Sequence, residues 1–388
     1  MEICITSHRY APLSGGYENQ IRALAENLSE HFSVKVVTFN LASGPNAESI
    51  NNVQVYRVKP QLVFFRVPFS TGYVRKMAGL DFDVLHAHGF VPVIVDLSLF
   101  YAKLKGKKTV YTHHFDGNVQ DAATLNGVAN FYNTTIAKIG VRFADIAIAT
   151  TKSYAASSPI LRQLREVQII PCFVDCDLFK PVCKEKTDEL RVRLNLGGDK
   201  TVLFVGRIVP YKGVEYLIEA IDYAKSALGE DFNLLLVGSQ EGKRITDQSR
   251  YFQRILQLAE KSSVRKNIRF VGRVPNGELS TYYSLADVVA LPSVMRGEAF
   301  GTVLLESLAC GTPVVASNIA GVKDVLKGNE KVGCYFHPKD FVALAHALVK
   351  EAAEKKRVTY DCRDFVIKNY HLTEIIAKYV ALYKSLIK

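Results

Sequence analysis

The chain has no tryptophan and no uninterrupted apolar run of the roughly 20 residues that a bilayer-spanning helix needs. The run from Phe90 to Ala102 comes closest, and Asp96 interrupts it. A transmembrane span is therefore excluded, and any membrane contact is expected to be peripheral. The missing tryptophan constrains nothing. Cysteines are few: seven, scattered and odd in number, which argues for reduced thiols rather than a secreted disulfide framework. Cys172, Cys176 and Cys183 cluster loosely, but no His or second Cys pair stands at zinc-ligand spacing, so no metal site is expected. Acidic residues are outnumbered, 38 against 49 Lys plus Arg, and the formal net charge is +11. That balance favours nucleotides, phosphorylated acceptors, anionic lipid or nucleic acid without choosing among them. Met1-Glu2-Ile3-Cys4-Ile5 starts directly as a strand with no visible signal peptide, so the expected location is cytoplasmic, with any membrane contact at the inner face.

What is present is a regular alternation. A length of 388 residues makes two domains the natural division. Short β-branched runs alternate with amphipathic stretches of helical length, the signature of parallel α/β sheets. In the first half the strands are predicted at Glu2–Thr6, Val34–Thr38, Val53–Val58, Val84–His86, Thr109–Thr112, Ile146–Ala149 and Val167–Ile170. Helices are predicted at Tyr17–His31, Pro92–Leu104, Phe131–Arg142 and Ser153–Leu164. A second series runs from the strand Thr201–Val205 through the helix Val214–Ala227 and the strand Val288–Leu291 to the helix Thr302–Ala309, the strand Val314–Ala316 and a helical tail. The expected fold is α/β: two doubly wound, Rossmann-like parallel sheets with a cleft between them. The expected boundaries are 1–170 for an N-terminal acceptor-side domain, 171–200 for an interdomain connection, 201–370 for a C-terminal nucleotide-sugar domain, and 371–388 for a helix returning to the first domain. Ligands of such sheets bind beyond the carboxyl ends of the strands, so the motifs that matter should follow strands.

The richest motif does. Arg296-Gly297-Glu298-Ala299-Phe300-Gly301-Thr302-Val303-Leu304-Leu305-Glu306 carries two carboxylates eight positions apart, with a loop turning into a helix between them. A helix N-terminus offers unpaired backbone N–H groups and a positive dipole end, which suits a phosphate. Glycine lets the anion approach the backbone. A carboxylate before that phosphate can bind sugar hydroxyls, and one two turns into the helix can bind ribose hydroxyls. Gly206-Arg207 at the end of a strand, followed by Lys212-Gly213 opening a helix, places two cations where they can neutralise a diphosphate. The plainer alternative is a pair of solvated surface charges. Ser14-Gly15-Gly16 sits between the first strand and the first helix, where it allows close approach of a phosphate or a sugar; alone it reads as a plain turn, and no full Gly-x-Gly-x-x-Gly is present.

Histidines follow strands as well. Thr112-His113-His114-Phe115-Asp116 places a ring where it could bond a sugar hydroxyl or the reaction centre, although a lone histidine is more often structural. Asp116 could orient His114 or cap the next segment. His86 and His88, two apart on a strand end, have no third ligand nearby, and the triplets Asp81-Phe82-Asp83 and Asp175-Cys176-Asp177 read as structural rather than metal-binding. From Ser49 to Leu80 no acidic residue occurs. Arg57, Lys59, Arg66, Arg75 and Lys76 are there interleaved with Tyr56, Phe64, Phe65, Phe69 and Tyr73, which suits a membrane interface or a phosphorylated acceptor as well as a partly buried connection.

In order along the chain, Gly15-Gly16-Tyr17-Glu18, Asp83-Val84-Leu85-His86-Ala87-His88, Thr112-His113-His114, Val174-Asp175 with Phe179, Gly206-Arg207 with Lys212-Gly213, Val271-Gly272, and the Glu298–Glu306 block through Gly311-Thr312-Pro313-Val314-Val315 make a set. The set resembles the retaining, GT-B-fold glycosyltransferases of family four, among them the phosphatidylinositol mannosyltransferases, over nearly the whole chain. The resemblance implies that Glu298 holds hydroxyls of the transferred sugar, Glu306 binds the ribose, and Phe300, Gly301, Thr302 and Val303 offer the diphosphate a helix start. It implies that Arg207 and Lys212 stabilise the departing diphosphate, that Gly15 and Gly16 pack against it, that His114 lies beside the sugar, and that the backbone at Arg273 and Val274 frames the base. The implied reaction is hexosyl transfer with retention from a UDP- or GDP-sugar to an unidentified hydroxyl acceptor, with no obligatory metal or other cofactor. In the implied reaction the leaving phosphate takes the acceptor's proton. One departure is Cys172-Phe173, where relatives often carry Asn-Gly.

Two other functions fit the composition. A sugar-nucleotide epimerase of the same shape would use carboxylates and histidines as acid and base, against which the combined Arg207/Lys212 and Glu298/Glu306 pattern argues. A non-enzymatic anion or nucleic-acid binder would fit the charge but lacks a recognisable binding motif, so no nucleic-acid partner is expected.

Overall fold

The computed structural model describes all residues except 14, 65–66, 90–92, 115, 117–126, 128–130, 199, 239–246, 296 and 388. Ser14, Phe65, Arg66, Phe90, Pro92, Phe115 and Arg296 of the sequence reading therefore lie outside the described residues. The chain forms two compact units, one of Met1–Cys172 with Thr373–Lys388 and one of Phe173–Leu372.

The first unit is built on β1 (Glu2–Thr6), β2 (Ser33–Phe39), β3 (Ala47–Ile50), β4 (Val53–Val58), β5 (Leu62–Phe64), β6 (Val67–Phe69), β7 (Val84–His88), β8 (Lys108–His113), β9 (Ile146–Ala149) and β10 (Gln168–Ile169). Eight of them form one sheet in the order β10-β9-β8-β7-β1-β2-β4-β3. All pairings in it are parallel except β3 with β4. Residues Ile3, Cys4 and Ile5 of β1 and Val84 and Leu85 of β7 are fully buried, as expected of a sheet covered on both faces. The strand order reverses between β1 and β7, so the carboxyl ends of these two strands frame the crevice where such sheets bind ligands.

The second unit is built on β11 (Lys200–Val205), β12 (Phe232–Val237), β13 (Ile268–Gly272), β14 (Val288–Leu291), β15 (Val314–Ser317) and β16 (Gly333–Phe336), all parallel in the order β13-β12-β11-β14-β15-β16. Its reversal lies between β11 and β14. The helix Val214–Leu228 shows why the layers close. Val214, Leu217, Ile218, Ile221 and Ala224 recur at helical spacing and are fully buried against the sheet core of Val202, Phe204, Leu234 and Val288. Each buried Leu or Ile side chain contributes roughly 1.5–3 kcal/mol.

Several expected elements differ. The helix predicted over Ser153–Leu164 runs only over Lys152–Ser157, because Ser158 precedes Pro159 and is held extended, at ψ 125. The helix predicted over Phe131–Arg142 breaks at Thr135, at φ −123 and ψ −83, and resumes as Ile136–Gly140 and a short tight turn at Val141–Phe143. The first helix stops at Leu28 rather than at His31. Within 171–200, read as a connection, a helix forms over Lys184–Arg193 and buries Leu190 alone. The strands β3, β5, β6 and β16 were not anticipated; each is four residues or fewer.

Candidate functional site

In the second unit the chain leaves β11 at Val205 and turns through Gly206-Arg207 into the helix that starts at Val214. It leaves β14 at Leu291 and passes through Ser293 and Glu298 into the helix Thr302–Ala309. The reversal of strand order makes these two exits neighbours. Lys212 and Glu298 consequently meet as an ion pair, with side chains 10% and 13% exposed. Ser293 Oγ donates to the same carboxylate oxygen at 3.2 Å. Burial works to lower the Lys212 pKa, but the charges of Glu298 and Tyr211 and the hydrogen bond to Glu298 outweigh it, and the ammonium is held above its usual range. Arg207 donates to Tyr211 OH at 3.0 Å, and Lys212 lies 5.5 Å from the centre of the Tyr211 ring. Two cations and an aromatic thus share one strand-end loop.

Glycine geometry sets the loop. Gly213 has φ 65, and a Cβ there would lie 2.3 Å from the Pro292 carbonyl oxygen; the β11 and β14 exits approach each other that closely. Gly301 is the N-cap of the helix Thr302–Ala309, at φ 83. A Cβ on it would meet Leu291 Cδ2 at 2.6 Å. Phe300 turns its side chain inward, edge-on to Tyr370 at 5.9 Å, which leaves the helix start to present backbone. Glu306 lies inside that helix and accepts a hydrogen bond from Tyr283 OH at 2.6 Å. Burial raises the Glu306 pKa, opposed by the Tyr283 hydrogen bond and the charge of Lys212. Arg273 and Val274 follow β13, Arg273 exposed and Val274 half-buried, and a Cβ on the preceding Gly272 would meet open space.

In the first unit the residues fall around the ends of β1, β7 and β8. Gly15 is the N-cap of the helix Gly16–Leu28, and a Cβ there would lie 2.5 Å from Glu18 Oε2. Tyr17 OH donates to the His88 carbonyl at 3.1 Å, and the Tyr17 ring meets His114 edge-on at 5.0 Å. His114 follows β8 and is half-buried. Burial, with the charges of His113 and His8, lowers its pKa to about 3, so the ring is neutral at physiological pH.

Other candidates resolve differently. Asp116 orients His113, not His114: His113 Nε2 is 2.9 Å from Asp116 Oδ1, and Ser158 Oγ donates to that oxygen at 2.6 Å. Asp175 folds back on its own chain, its Oδ1 accepting from the N–H of Asp177 and of Leu178. Asp83 accepts from the Glu2 N–H and Asp81 pairs with Lys107. Among the described residues no group of three or more His, Cys, Asp or Glu is placed to hold a metal ion, and none of the seven cysteines is in a disulfide. Within 49–80, Arg57 belongs to the interior rather than to an interface. It pairs with Glu48 and donates to the Ala11 and Pro45 carbonyls because its strand carries it under the neighbouring loop. Tyr73 is buried too, whereas Lys76 lies 4.1 Å from the Tyr56 ring. Sequence reasoning missed Tyr17, Tyr211, Tyr283 and Ser293 as partners of the site residues. Tyr17 and Tyr211 stand next to Gly16 and Lys212 in sequence and Ser293 lies five residues before Glu298, so these three could have been picked out; Tyr283, 23 residues from Glu306, could not.

Residues 14–178 match the family model described as Glycosyltransferase Family 4, and residues 186–360 match that described as Glycosyl transferases group 1. The chain is 26% identical to an uncharacterised glycosyltransferase of Methanocaldococcus jannaschii over 99% of this chain and 98% of that relative. It is 29% identical to a D-inositol 3-phosphate glycosyltransferase of Thermomonospora curvata over 89% of this chain and 85% of that relative. Among solved structures, the sucrose-phosphate synthase of Thermosynechococcus elongatus superposes with a TM-score of 0.79 at 24% identity, covering 100% of this chain and 99% of that one. Anabaena HepE in complex with UDP superposes with a TM-score of 0.77 at 18% identity, covering 99% and 100%. These likenesses show the fold: two parallel-sheet α/β domains of the GT-B class.

Proposed function

Because the chain belongs to the group 1 and family 4 glycosyltransferases, whose donors are nucleotide sugars, we propose that it moves a glucose- or mannose-type hexose from a UDP- or GDP-sugar to a hydroxyl acceptor with retention. The observation that carries the reading is the buried Lys212–Glu298 pair beside the N-terminus of the helix Thr302–Ala309. A diphosphate on that helix start meets backbone N–H groups, the helix dipole and two nearby cations, Lys212 and Arg207. A carboxylate already held by Lys212 and Ser293 is an acceptor for sugar hydroxyls next to the bond that breaks. Glu306, tied back by Tyr283, takes the ribose, and the turn at Arg273 and Val274 takes the base through its backbone. In the first unit, Gly15 and Gly16 are assigned to the diphosphate and His114 to the transferred sugar.

In this mechanism the glycosidic C–O bond to the diphosphate breaks as the acceptor oxygen bonds to the same carbon from the same face. The acceptor's proton passes to a departing phosphate oxygen, and Arg207 and Lys212 stabilise the charge that accumulates there. No metal or other cofactor is assigned a step. Glu298 is a binding residue in this scheme, not a nucleophile.

The acceptor includes lipid-linked and phosphorylated candidates, and peripheral contact with an anionic membrane belongs to the same proposal. Its support is the hairpin of β5 and β6, where Leu62 and Val63 are 59% and 56% exposed within a stretch free of acidic residues. The test is a thermal-shift screen with UDP- and GDP-hexoses, followed by assay of hexose transfer and NMR assignment of the product's anomeric configuration. Stabilisation by one nucleotide series and an unchanged anomeric configuration are expected. Inversion, or donor isomerisation without transfer, would overturn the reading.

A further inference from the structure

The run from Phe90 to Ala102 is the nearest the chain comes to an unbroken apolar stretch, and from Ile94 onward it folds into the helix Ile94–Leu104 of the first unit. Ile94, Val95, Ser98, Leu99 and Ala102 face inward and are buried. Leu97, Phe100 and Leu104, at i, i+3 and i+7, make a stripe on the opposite side. That side of a surface helix is ordinarily polar. Here Leu104 is 67% exposed, and Leu97 and Phe100 are 41% exposed each. The stripe continues onto the neighbouring segment. The helix Ile136–Gly140 packs against this one, and the Phe143 ring just beyond it meets Phe100 edge-on at 5.0 Å. Ile136 and Ile139, one turn apart, are 41% and 59% exposed. An exposed apolar patch shared by two packed helices marks an interaction surface.

The charges along these two segments have one sign. From Leu97 to Lys108 and from Phe131 to Phe143 every charged residue is a cation: Lys103, Lys105, Lys107, Lys108, Lys138 and Arg142. Lys103 and Lys107 reach the carboxylates of Asp145 and Asp81, whereas Lys105, Lys108 and Arg142 are exposed. Asp96, the one acid on the helix, is tied down at its start, where it accepts from Tyr132 OH and from the Val93 N–H. A second copy of the chain would set these cations against their own images. Anionic lipid meets both halves of the surface. The acyl boundary takes the leucines, the isoleucines and Phe100, and the headgroups take the cations. Eleven residues are too few to cross a bilayer, so such a helix lies in the plane of the interface.

We propose that the outer face of the helix Ile94–Leu104, together with Ile136 and Ile139, is a docking surface for an anionic lipid bilayer. The inference rests on the reading of peripheral membrane contact and gives that contact its place. The principal anchor is this two-helix face, and the hairpin of β5 and β6 is secondary to it.

The test uses the full chain and vesicles of phosphatidylcholine, either alone or with about one-third phosphatidylglycerol. In flotation the wild type should bind the anionic vesicles and not the neutral ones, and added salt should weaken the binding. Leu104→Asp and Ile139→Asp, at the two most exposed positions of the face, should each lower the partition coefficient about tenfold, and Leu62→Asp on the hairpin by no more than about threefold. Thermal melts without vesicles should match the wild type, because these side chains are mostly in water. The chain has no tryptophan, so Leu104→Trp adds a single fluorophore whose emission should shift to the blue with anionic vesicles only. A wild type that ignores anionic vesicles would overturn the membrane reading itself. Flotation that only Leu62→Asp abolishes, or that leaves the Leu104→Trp emission unmoved, would keep that reading and overturn this surface. A dimer in sedimentation equilibrium that Leu104→Asp dissociates would give the face to a second copy and overturn the proposal as well.

Discussion

Lys212 and Glu298 stand 86 residues apart in the chain and close an ion pair inside the second unit. Each reaches the pair from the end of a different strand, and those strands, β11 and β14, are neighbours only because the sheet reverses its order between them. The pair is largely buried, so removing one partner strands the other's charge. Glu298→Ala should cost about 3 kcal/mol of stability, and Lys212→Ala a similar amount. The double variant Lys212→Met with Glu298→Leu should recover most of that stability, because a buried ion pair contributes little over apolar packing of similar volume. It should not recover transfer. Urea unfolding and hexose-transfer assays on the three variants check both halves. A double variant that regains activity would show that the pair is only structural.

The Glu306 pH dependence follows from a hydrogen bond. In the proposed donor-binding mode, the Glu306 carboxylate, not the acid, accepts from ribose hydroxyls. Burial raises the Glu306 pKa and the Tyr283 hydrogen bond opposes the rise. Nucleotide affinity should therefore fall as pH drops through that raised pKa. Tyr283→Phe removes the opposing bond, so the acid limb of the affinity profile should move to higher pH. Glu306→Gln should flatten the limb and weaken binding throughout. Calorimetric titration of UDP or GDP across pH 5 to 8 would test it; a limb that stays in place in Tyr283→Phe contradicts the assignment.

How much of this was legible in sequence depended on whether the signal was local. β1, β4, β9, β14 and the helix Thr302–Ala309 could be read at their full extent, because each is a short β-branched or apolar run bounded by polar or turn residues. Glu298, Gly301 and Glu306 share one loop and helix, so their grouping needed no tertiary information. The partners of those residues did. Tyr283 meets Glu306 from the next helix back, and nothing in the spacing marks it. Arg363 is a sharper case. It donates to the carbonyls of Cys176, Phe179 and Ala309 at 2.8–3.1 Å, joining three segments that composition alone would not relate. β16 was missed because Gly333 and only three further residues carry it, and an edge strand borrows its conformation from its neighbour. The sequence left Arg57 open between an interface and a partly buried connection, because a run without acids does not show that Glu48, from the adjoining antiparallel strand, neutralises it.

Gly301 tests the helix-start geometry without altering any charge. Its φ of 83 strains every L-residue, and the added methyl of Gly301→Ala would press against Leu291. Stability should fall by roughly 1–3 kcal/mol, and nucleotide binding should weaken more than stability alone explains, because the N–H groups of the following turn are displaced. A thermal melt with and without nucleotide separates the two effects. If the variant binds UDP or GDP as the wild type does, the diphosphate does not sit on this helix.

Acid should loosen the first unit before it loosens the second. His8 is lowered to about 4, by burial and then by the charge of Arg9, and His86 and His114 to about 3. Their unfolded pKa is 6.5. Above that value both states are neutral at these rings, and stability is independent of pH on their account. Below it, the unfolded chain takes up protons that the folded chain refuses, so stability rises with pH across this window and is lost on acidification toward pH 4. Carboxyls raised by burial, Asp96 in the first unit and Glu306 in the second, act in the opposite sense, since their folded forms bind the proton more readily. Comparison with a variant isolates the histidine contribution. His8→Gln, which removes one titrating ring, should reduce the fall in urea midpoint between pH 7 and pH 5. Hydrogen exchange should show the added opening at β1, β7 and β8 before β11 and β14. An acid transition that is identical in the variant, or that begins in the second unit, would mean that these rings do not govern it.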